Sequence, residues 1–179
     1  FLVQIQIKQM INDVFANDVL QGLSGNPKFL SSRYFYDETG DALFQDIMEM
    51  PEYYLTRSEF EIFHQRKEEI LATFSNNGRP FQLIEFGAGD GTKTKILLEH
   101  FLKERAKFKY LPIDISENVL NLLHEDLQKN FPELTVVPQQ GEYFEALSNL
   151  CTDKENRKIV LFLGSNIGNF RPAEANKFL

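Results

Sequence analysis

Three glycines, at 87, 89 and 91, punctuate the stretch "LIEFGAGDGTKT" (Leu83 to Thr94), with Glu85 before them and Lys93 between two threonines after them. An apolar run, then glycines, then a helical pattern reads as a strand, a tight turn and a helix N-terminus. That geometry lets backbone approach a ligand closely and leaves N–H groups free to meet it. Two phosphate-binding patterns come near and fail. The phosphate loop G-x-x-x-x-G-K-[ST] is matched at Gly87, Lys93 and Thr94, but Thr92 stands where its second glycine belongs. The dinucleotide fingerprint G-x-G-x-x-G/A is matched at Gly87 and Gly89, with Thr92 at its third position and Gly91 one residue early. The form actually present, E-x-G-x-G-x-G, sets a carboxylate at the strand end, where it repels a pyrophosphate and attracts a cation.

S-adenosylmethionine has no phosphate and carries an amino group and a sulfonium, so the loop around Glu85, Gly87 and Gly89 prefers it to a nucleotide. Two further strand ends agree. Asp114 closes the strand in "LPIDIS", where a carboxylate can accept hydrogen bonds from both hydroxyls of a ribose. Glu142 and Tyr143, in "GEYF" after the next strand, stand at the level of an adenine. Lys93 at a helix start opposes the helix dipole, so an anion, such as the carboxylate of the cofactor, is expected beside it.

The elements that must position these residues follow from periodicity. "FQLIEF", "FKYLPID", "LTVVPQQ" and "KIVLFLG" read as strands; "TKTKILLEHFLKERA", "SENVLNLLHEDLQKNF" and "EYFEALSNL" read as helices between them, with Ser116 as an N-cap. Alternating strands and helices imply an α/β fold with a parallel sheet covered on both faces and joined by right-handed crossovers. Residues 1–80 are expected to form a helical, aromatic-rich N-terminal layer on the substrate side, and residues 81–179 the first part of the cofactor-binding domain. The opening "FLVQIQIKQM" alternates apolar and polar residues and is expected to be a strand. "RPAEANKFL" starts a helix without a cap to end it, and four strands make a thin sheet. The chain therefore reads as truncated at its C-terminus, the front of a longer protein.

Composition narrows the alternatives. A chain of 179 residues suits one domain with an appendage, and its net charge of −7 disfavours a nucleic-acid partner. No apolar run approaches the roughly 20 residues that span a bilayer. The N-terminus lacks the charged start and apolar block of a secretion signal, so a cytoplasmic location is expected. Cys151 is the only cysteine, and His64, His100 and His124 are far apart without ligand spacing, so no metal is expected. Oligomeric state is not legible.

With those residues placed, the chain resembles the histidine-specific N-alpha-methyltransferases of ergothioneine biosynthesis, members of the Rossmann-like, S-adenosylmethionine-dependent class I methyltransferases. The resemblance runs from about Val19 to the end. It rests on "PKFLSSRYFYDETGDALFQDIMEMPEYYLTRSEFEIF", "LIEFGAGDGTKT", "LPIDIS" and "FLGSNIGNF". It implies that Gly87, Lys93 and Asp114 contact the cofactor together with the Glu142-Tyr143 corner, where the family commonly has Asp-Phe. It also implies that Tyr36, Tyr53 and Asn169 face a small amino acid substrate, Tyr36 and Asn169 at the reacting amine, with Gly164 lining the approach to the methyl group. Ala88 stands where the family usually has serine. The family's imidazole-reading residues lie in a later insertion, outside these residues, so the fragment alone is expected to be inactive.

Each assignment has a simpler counterpart. Tyr36 and Tyr53 sit in aromatic clusters and would serve equally as core. Asn169 would serve as a helix cap. Asp37, Glu38 and Asp41 read as a solvated turn. Two other functions stay open on the residues alone: a nucleotide-binding enzyme with an atypical phosphate loop, and a non-catalytic scaffold of methyltransferase shape.

Overall fold

The computed structural model describes residues 2–35, 37–150, 157–164 and 166–179. Contacts divide the chain into two compact units, Phe1–Tyr36 and Asp37–Leu179. The first holds one long helix, α1 (Leu2–Ser24), and a 3-10 turn at Ser32–Phe35. The Tyr34 hydroxyl donates to Asp18 Oδ2 at 2.6 Å and its ring meets Phe15 edge-on, which ties the turn to the helix. The expected N-terminal strand is therefore not present: "FLVQIQIKQM" is helical. Its alternation is only six residues long, whereas Ile7, Met10, Ile11 and Val14 recur at the i, i+3, i+4, i+7 spacing of a helix face.

The second unit is the sheet and its helices. Strands β1 (Phe81–Phe86), β2 (Phe108–Asp114), β3 (Gln139–Gln140) and β4 (Arg157–Phe162) lie in the order β3-β2-β1-β4. Every pair is parallel, with Phe86 of β1 opposite Ile113 of β2 and Phe162 of β4. This is the expected α/β architecture. The expected third strand is mostly missing: of "LTVVPQQ" only Gln139 and Gln140 pair as a ladder, with an isolated bridge between Tyr110 and Val136. Pro138, between the two, has no N–H to give and interrupts the pairing.

β1 is the middle of the core and is covered on both faces. Phe81 and Leu83 point toward α4 (Thr94–Lys103) and α5 (Glu117–Asn130), where they meet Leu97, Leu98, Phe101, Leu123 and Leu127. Phe63, Ile70, Leu71 and Phe74 of α3 (Tyr54–Ser75) join the same cluster, so α3 packs with the sheet's own helices. Ile84 and Phe86 point the other way, toward Ala146 of α6 (Tyr143–Leu150), Phe162 and Phe178 of α7 (Pro172–Phe178). Each fully buried leucine or phenylalanine contributes roughly 1.5 to 3 kcal/mol, enough for this cluster to fix the register of β1. A shorter helix, α2 (Glu38–Glu49), precedes α3 and starts on Asp37, whose Oδ1 accepts from the Gly40 N–H at 2.8 Å.

The consequence for function lies in the strand order. From β1 the chain steps outward through α4 to β2 and α5 to β3, then returns to the other side of β1 as β4. The order reverses beside β1. In open α/β sheets ligands bind at the carboxyl ends of the strands where this reversal occurs.

Candidate functional site

The loop from Gly87 to Lys93 leaves the carboxyl end of β1 with three glycines at positive φ: +68° at Gly87, +56° at Gly89 and +67° at Gly91. Only glycine adopts this region without strain. Two of them are also hemmed in. A Cβ on Gly87 would stand 2.6 Å from Asn166 Nδ2 and 2.7 Å from the Tyr143 hydroxyl, and one on Gly91 would stand 2.7 Å from Leu123 Cδ1. A Cβ on Gly89 would meet nothing within 4 Å. The middle glycine thus faces open space, which suits backbone that a ligand approaches. The base of the loop is anchored by the N–H of Gly87 on the Ile113 carbonyl at 2.8 Å, and its outer turn by Thr92 on the Asp90 carboxylate.

Asp114, at the end of β2, is the loop's neighbour and is 9% exposed. Its Oδ2 accepts from the Gly89 N–H at 3.1 Å and its Oδ1 from the Ser116 N–H at 3.1 Å. A carboxylate has about four acceptor sites, so each oxygen keeps capacity for a hydroxyl. Burial holds the Asp114 carboxyl above its ordinary range; the Ser116 and Gly89 amides oppose this, and the charge of Asp41 adds to it. Asp41, expected to be part of a solvated turn, instead accepts from the Ser116 hydroxyl at 2.8 Å. The same hydroxyl caps α5 through the Val119 N–H. Nothing in the local sequence of α2 shows this, because the contact spans 75 positions.

Glu85 lies beneath the loop, 2% exposed. Its oxygens accept from the Thr94 hydroxyl at 2.7 Å and the Tyr110 hydroxyl at 2.5 Å. Burial pushes its carboxyl up to about 7, against the two hydroxyl bonds and the charge of Lys93. Burial and the adjacent Glu85 push the Tyr110 hydroxyl well above its ordinary value. Glu85 therefore acts on the loop from within the core: it fixes the first residue of α4 to the middle of β2.

Lys93 does have an anion beside it, and it is the protein's own. Its Nζ is 2.5 Å from Glu59 Oε2 of α3, both side chains about one-fifth exposed. The other oxygen of Glu59 accepts from the Gly164 N–H at 2.8 Å, while the Tyr53 hydroxyl donates to the Gly164 carbonyl at 3.4 Å. Gly164 has φ +69° and lies near both Lys93 and Asn166. The isolated lysine signals that an anion is needed; the sequence does not say which, since Glu59 is 34 residues away.

The remaining expected residues fall as follows. Tyr143 opens α6 with its ring among Phe86, Phe162 and Phe170 and its hydroxyl against Gly87. Glu142 is exposed, and its carbonyl accepts from the Ala146 N–H. Beside it lies an open cavity of about 280 Å³ lined by Gln139, Gln140, Gly141, Glu145 and Ala146. Asn169 closes a 3-10 turn, Asn166–Asn169, and is exposed. It is not the cap of α7, which starts at Pro172. Tyr36 lies outside the described residues. Among the described residues the sheet edge thus gathers Gly87, Gly89, Lys93, Asp114, Tyr143, Gly164 and Tyr53. Sequence reasoning missed Glu59, Asp41 and Asn166. No group of His, Cys, Asp and Glu among the described residues is arranged to hold a metal ion, and no helix there is long and apolar enough to cross a membrane.

A loop that bends through three glycines, a carboxylate at the next strand tip and a cation at the helix start fit an adenosyl amino acid: hydroxyl acceptors at one end, a counter-charge for a carboxylate at the other. Comparison with known proteins agrees. The family model described as histidine-specific methyltransferase, SAM-dependent, matches residues 15–179. Histidine N-alpha-methyltransferase of Mycolicibacterium smegmatis is 33% identical over 93% of this chain and 50% of its own length. The Mycobacterium tuberculosis protein of the same name is 33% identical over 90% of this chain and 49% of its own. Ergothioneine biosynthesis protein 1 of Schizosaccharomyces pombe is 31% identical over 84% of this chain and 20% of its own. The chain spans about half the length of the two mycobacterial relatives. A family match covering all but the first 14 residues leaves one conclusion: this chain belongs to the histidine-specific, S-adenosylmethionine-dependent methyltransferases.

Proposed function

We propose that the protein carrying this chain methylates the α-amino group of L-histidine, or of a related amino acid, using S-adenosylmethionine, as a step toward ergothioneine-type products. The observation that carries this reading is the placement of Lys93, Asp114 and Gly164 at the carboxyl ends of three strands, with Asp114 on the N–H of Gly89, the open middle of the glycine turn, and Gly164 near Lys93. Asp114 would hold the ribose hydroxyls, Lys93 the carboxylate, and Gly87 and Gly89 the backbone path between them, with Glu142 and Tyr143 beside the adenine. When bound, the cofactor supplies an electrophilic methyl group on a sulfonium.

What the chain's own residues do is orient. In-line displacement by an amine requires its lone pair to point at the methyl carbon from roughly 3 Å, and the amine must arrive unprotonated. Tyr53, Tyr36 and Asn169 accept N–H bonds without delivering a proton, which suits an amine nucleophile. No strong base is needed, because the displaced proton leaves to water. Gly164, without a side chain, leaves room beside the nitrogen. The Tyr53 hydroxyl on the Gly164 carbonyl supports the place of these two residues side by side. We further place the protein in the cytoplasm, working on a small molecule rather than on nucleic acid. The single cysteine and the net charge of −7 support that reading.

The test is mass spectrometry of the complete protein incubated with S-adenosylmethionine and each amino acid in turn. Methylation of histidine at its α-nitrogen, well above any other amino acid, is the expected result. Methylation of another amino acid in preference would move the substrate assignment, and methylation of none would remove the activity.

A further inference from the structure

Glu59, on a helix, divides its two carboxylate oxygens between two different strand-end loops. Oε2 holds the Lys93 ammonium at 2.5 Å and Oε1 holds the Gly164 N–H at 2.8 Å. Neither contact is local: they span 34 and 105 positions. The helix that carries Glu59 is preceded by Tyr53 at its N-cap, whose hydroxyl reaches the Gly164 carbonyl. Both backbone polar groups of Gly164, a residue at φ +69°, are therefore engaged by the first turns of α3. Lys93 is assigned above to the cofactor, and Gly164 and Tyr53 to the approach of the amine. Glu59 lies between the two sides.

We propose that Glu59 is a positioning residue that sets the cofactor-side lysine and the substrate-side Gly164 loop at a fixed separation, so that amine and methyl meet in line. This rests on the methyltransferase reading and assigns it a residue that touches neither reactant. The bridge needs what a glutamate has. Its ionised carboxylate accepts at both oxygens. Glutamine would keep an acceptor for the Gly164 N–H but turn an NH2 donor on the Lys93 ammonium. Aspartate would keep the charge but is one methylene too short to span both partners. Misplacement of about 1 Å costs on the order of 100-fold in an orientation-limited step. In Glu59→Gln the Lys93 ammonium loses its ion-pair partner, so its attraction for a ligand carboxylate is kept or strengthened.

The experiment uses the complete protein and the variants Glu59→Gln and Glu59→Asp. Turnover with S-adenosylmethionine and histidine is compared with S-adenosylhomocysteine affinity by calorimetry and with thermal stability. The expected result is a fall in kcat of tenfold or more in both variants, with S-adenosylhomocysteine bound no more than threefold more weakly than by wild type. A kcat within threefold of wild type would overturn the proposal. So would a parallel loss of melting temperature, ligand affinity and turnover, which would make Glu59 a support of the fold. A wild-type protein that binds no S-adenosylhomocysteine would overturn both this proposal and the reading beneath it.

Discussion

Two carboxyls of the site are buried, and their different surroundings give them different tests. Asp114 faces the loop and keeps lone pairs to spare, so its removal acts on ligand binding. Asp114→Ala should weaken S-adenosylmethionine binding by tenfold or more, since each charge-assisted bond to a ribose hydroxyl contributes about 1.5 to 3 kcal/mol. Calorimetry on variant and wild type measures this; equal affinities would mean that the ribose lies elsewhere. Glu85 is spent on Thr94 and Tyr110, so its removal acts on stability and its pH dependence. Its folded pKa, about 7, is raised from 4.5. The folded state then binds more protons than the unfolded state between those values, and stability falls as pH rises through that window. The stability is fully present below about pH 4.5 and is lost by about pH 7, a change of roughly 3 kcal/mol at 1.36 kcal/mol per unit. In Glu85→Gln the two hydroxyls keep a partner and the Glu85 share of the slope should vanish. Urea melts of both proteins from pH 5 to 8 give the difference directly, and parallel curves would contradict the assignment. At this scale the sequence was informative where chemistry is local, as with the carboxylate at the tip of β2. It was silent on Glu59 and Asp41, because their partners arrive from other helices.

The glycine turn and the strand beneath it separate binding from stability in another way. Gly89 has φ +56° but open space around its Cβ position, so Gly89→Ala should cost about 1 to 2 kcal/mol from left-handed strain alone. Under the proposed function the same methyl group would meet the cofactor, and binding should drop by tenfold or more. A thermal melt paired with a titration checks both halves. Phe86, one residue before the turn and fully buried against Tyr143, Phe162 and Phe178, gives the opposite pattern. Phe86→Ala should destabilise by about 3 to 5 kcal/mol through the cavity it leaves, read by denaturant unfolding. The strands and helices from Phe81 to Asn130 were legible because their apolar positions keep one period throughout and Ser116 marks a helix start. Two elements misled for physical reasons. The N-terminal alternation is too short to outvote the helical spacing that follows it, and Pro138 removes a ladder donor from an otherwise strand-like run.

For the sheet as a whole, parallel pairing throughout the order β3-β2-β1-β4 puts every strand end that carries the site at the same end. The fold class was legible in the alternation of strands and helices, while the meeting of α3 with the β1 and β4 loops was not, since long-range packing leaves no periodic trace. The chain spans about half the length of its mycobacterial relatives, and under the proposed function the described residues would provide a cofactor edge and one wall for an amino acid. The 179-residue chain tested alone should therefore produce no methylated histidine by mass spectrometry under conditions where the complete protein does; equal turnover would show that the wall suffices. The central claim is that the E-x-G-x-G-x-G loop with Asp114 was shaped for an adenosyl amino acid and against a nucleotide triphosphate. Calorimetric titration of the complete protein with S-adenosylhomocysteine and, separately, with ATP and magnesium tests it most directly. One saturable site for S-adenosylhomocysteine and no measurable heat of binding for ATP is the predicted result; tighter binding of ATP would contradict it.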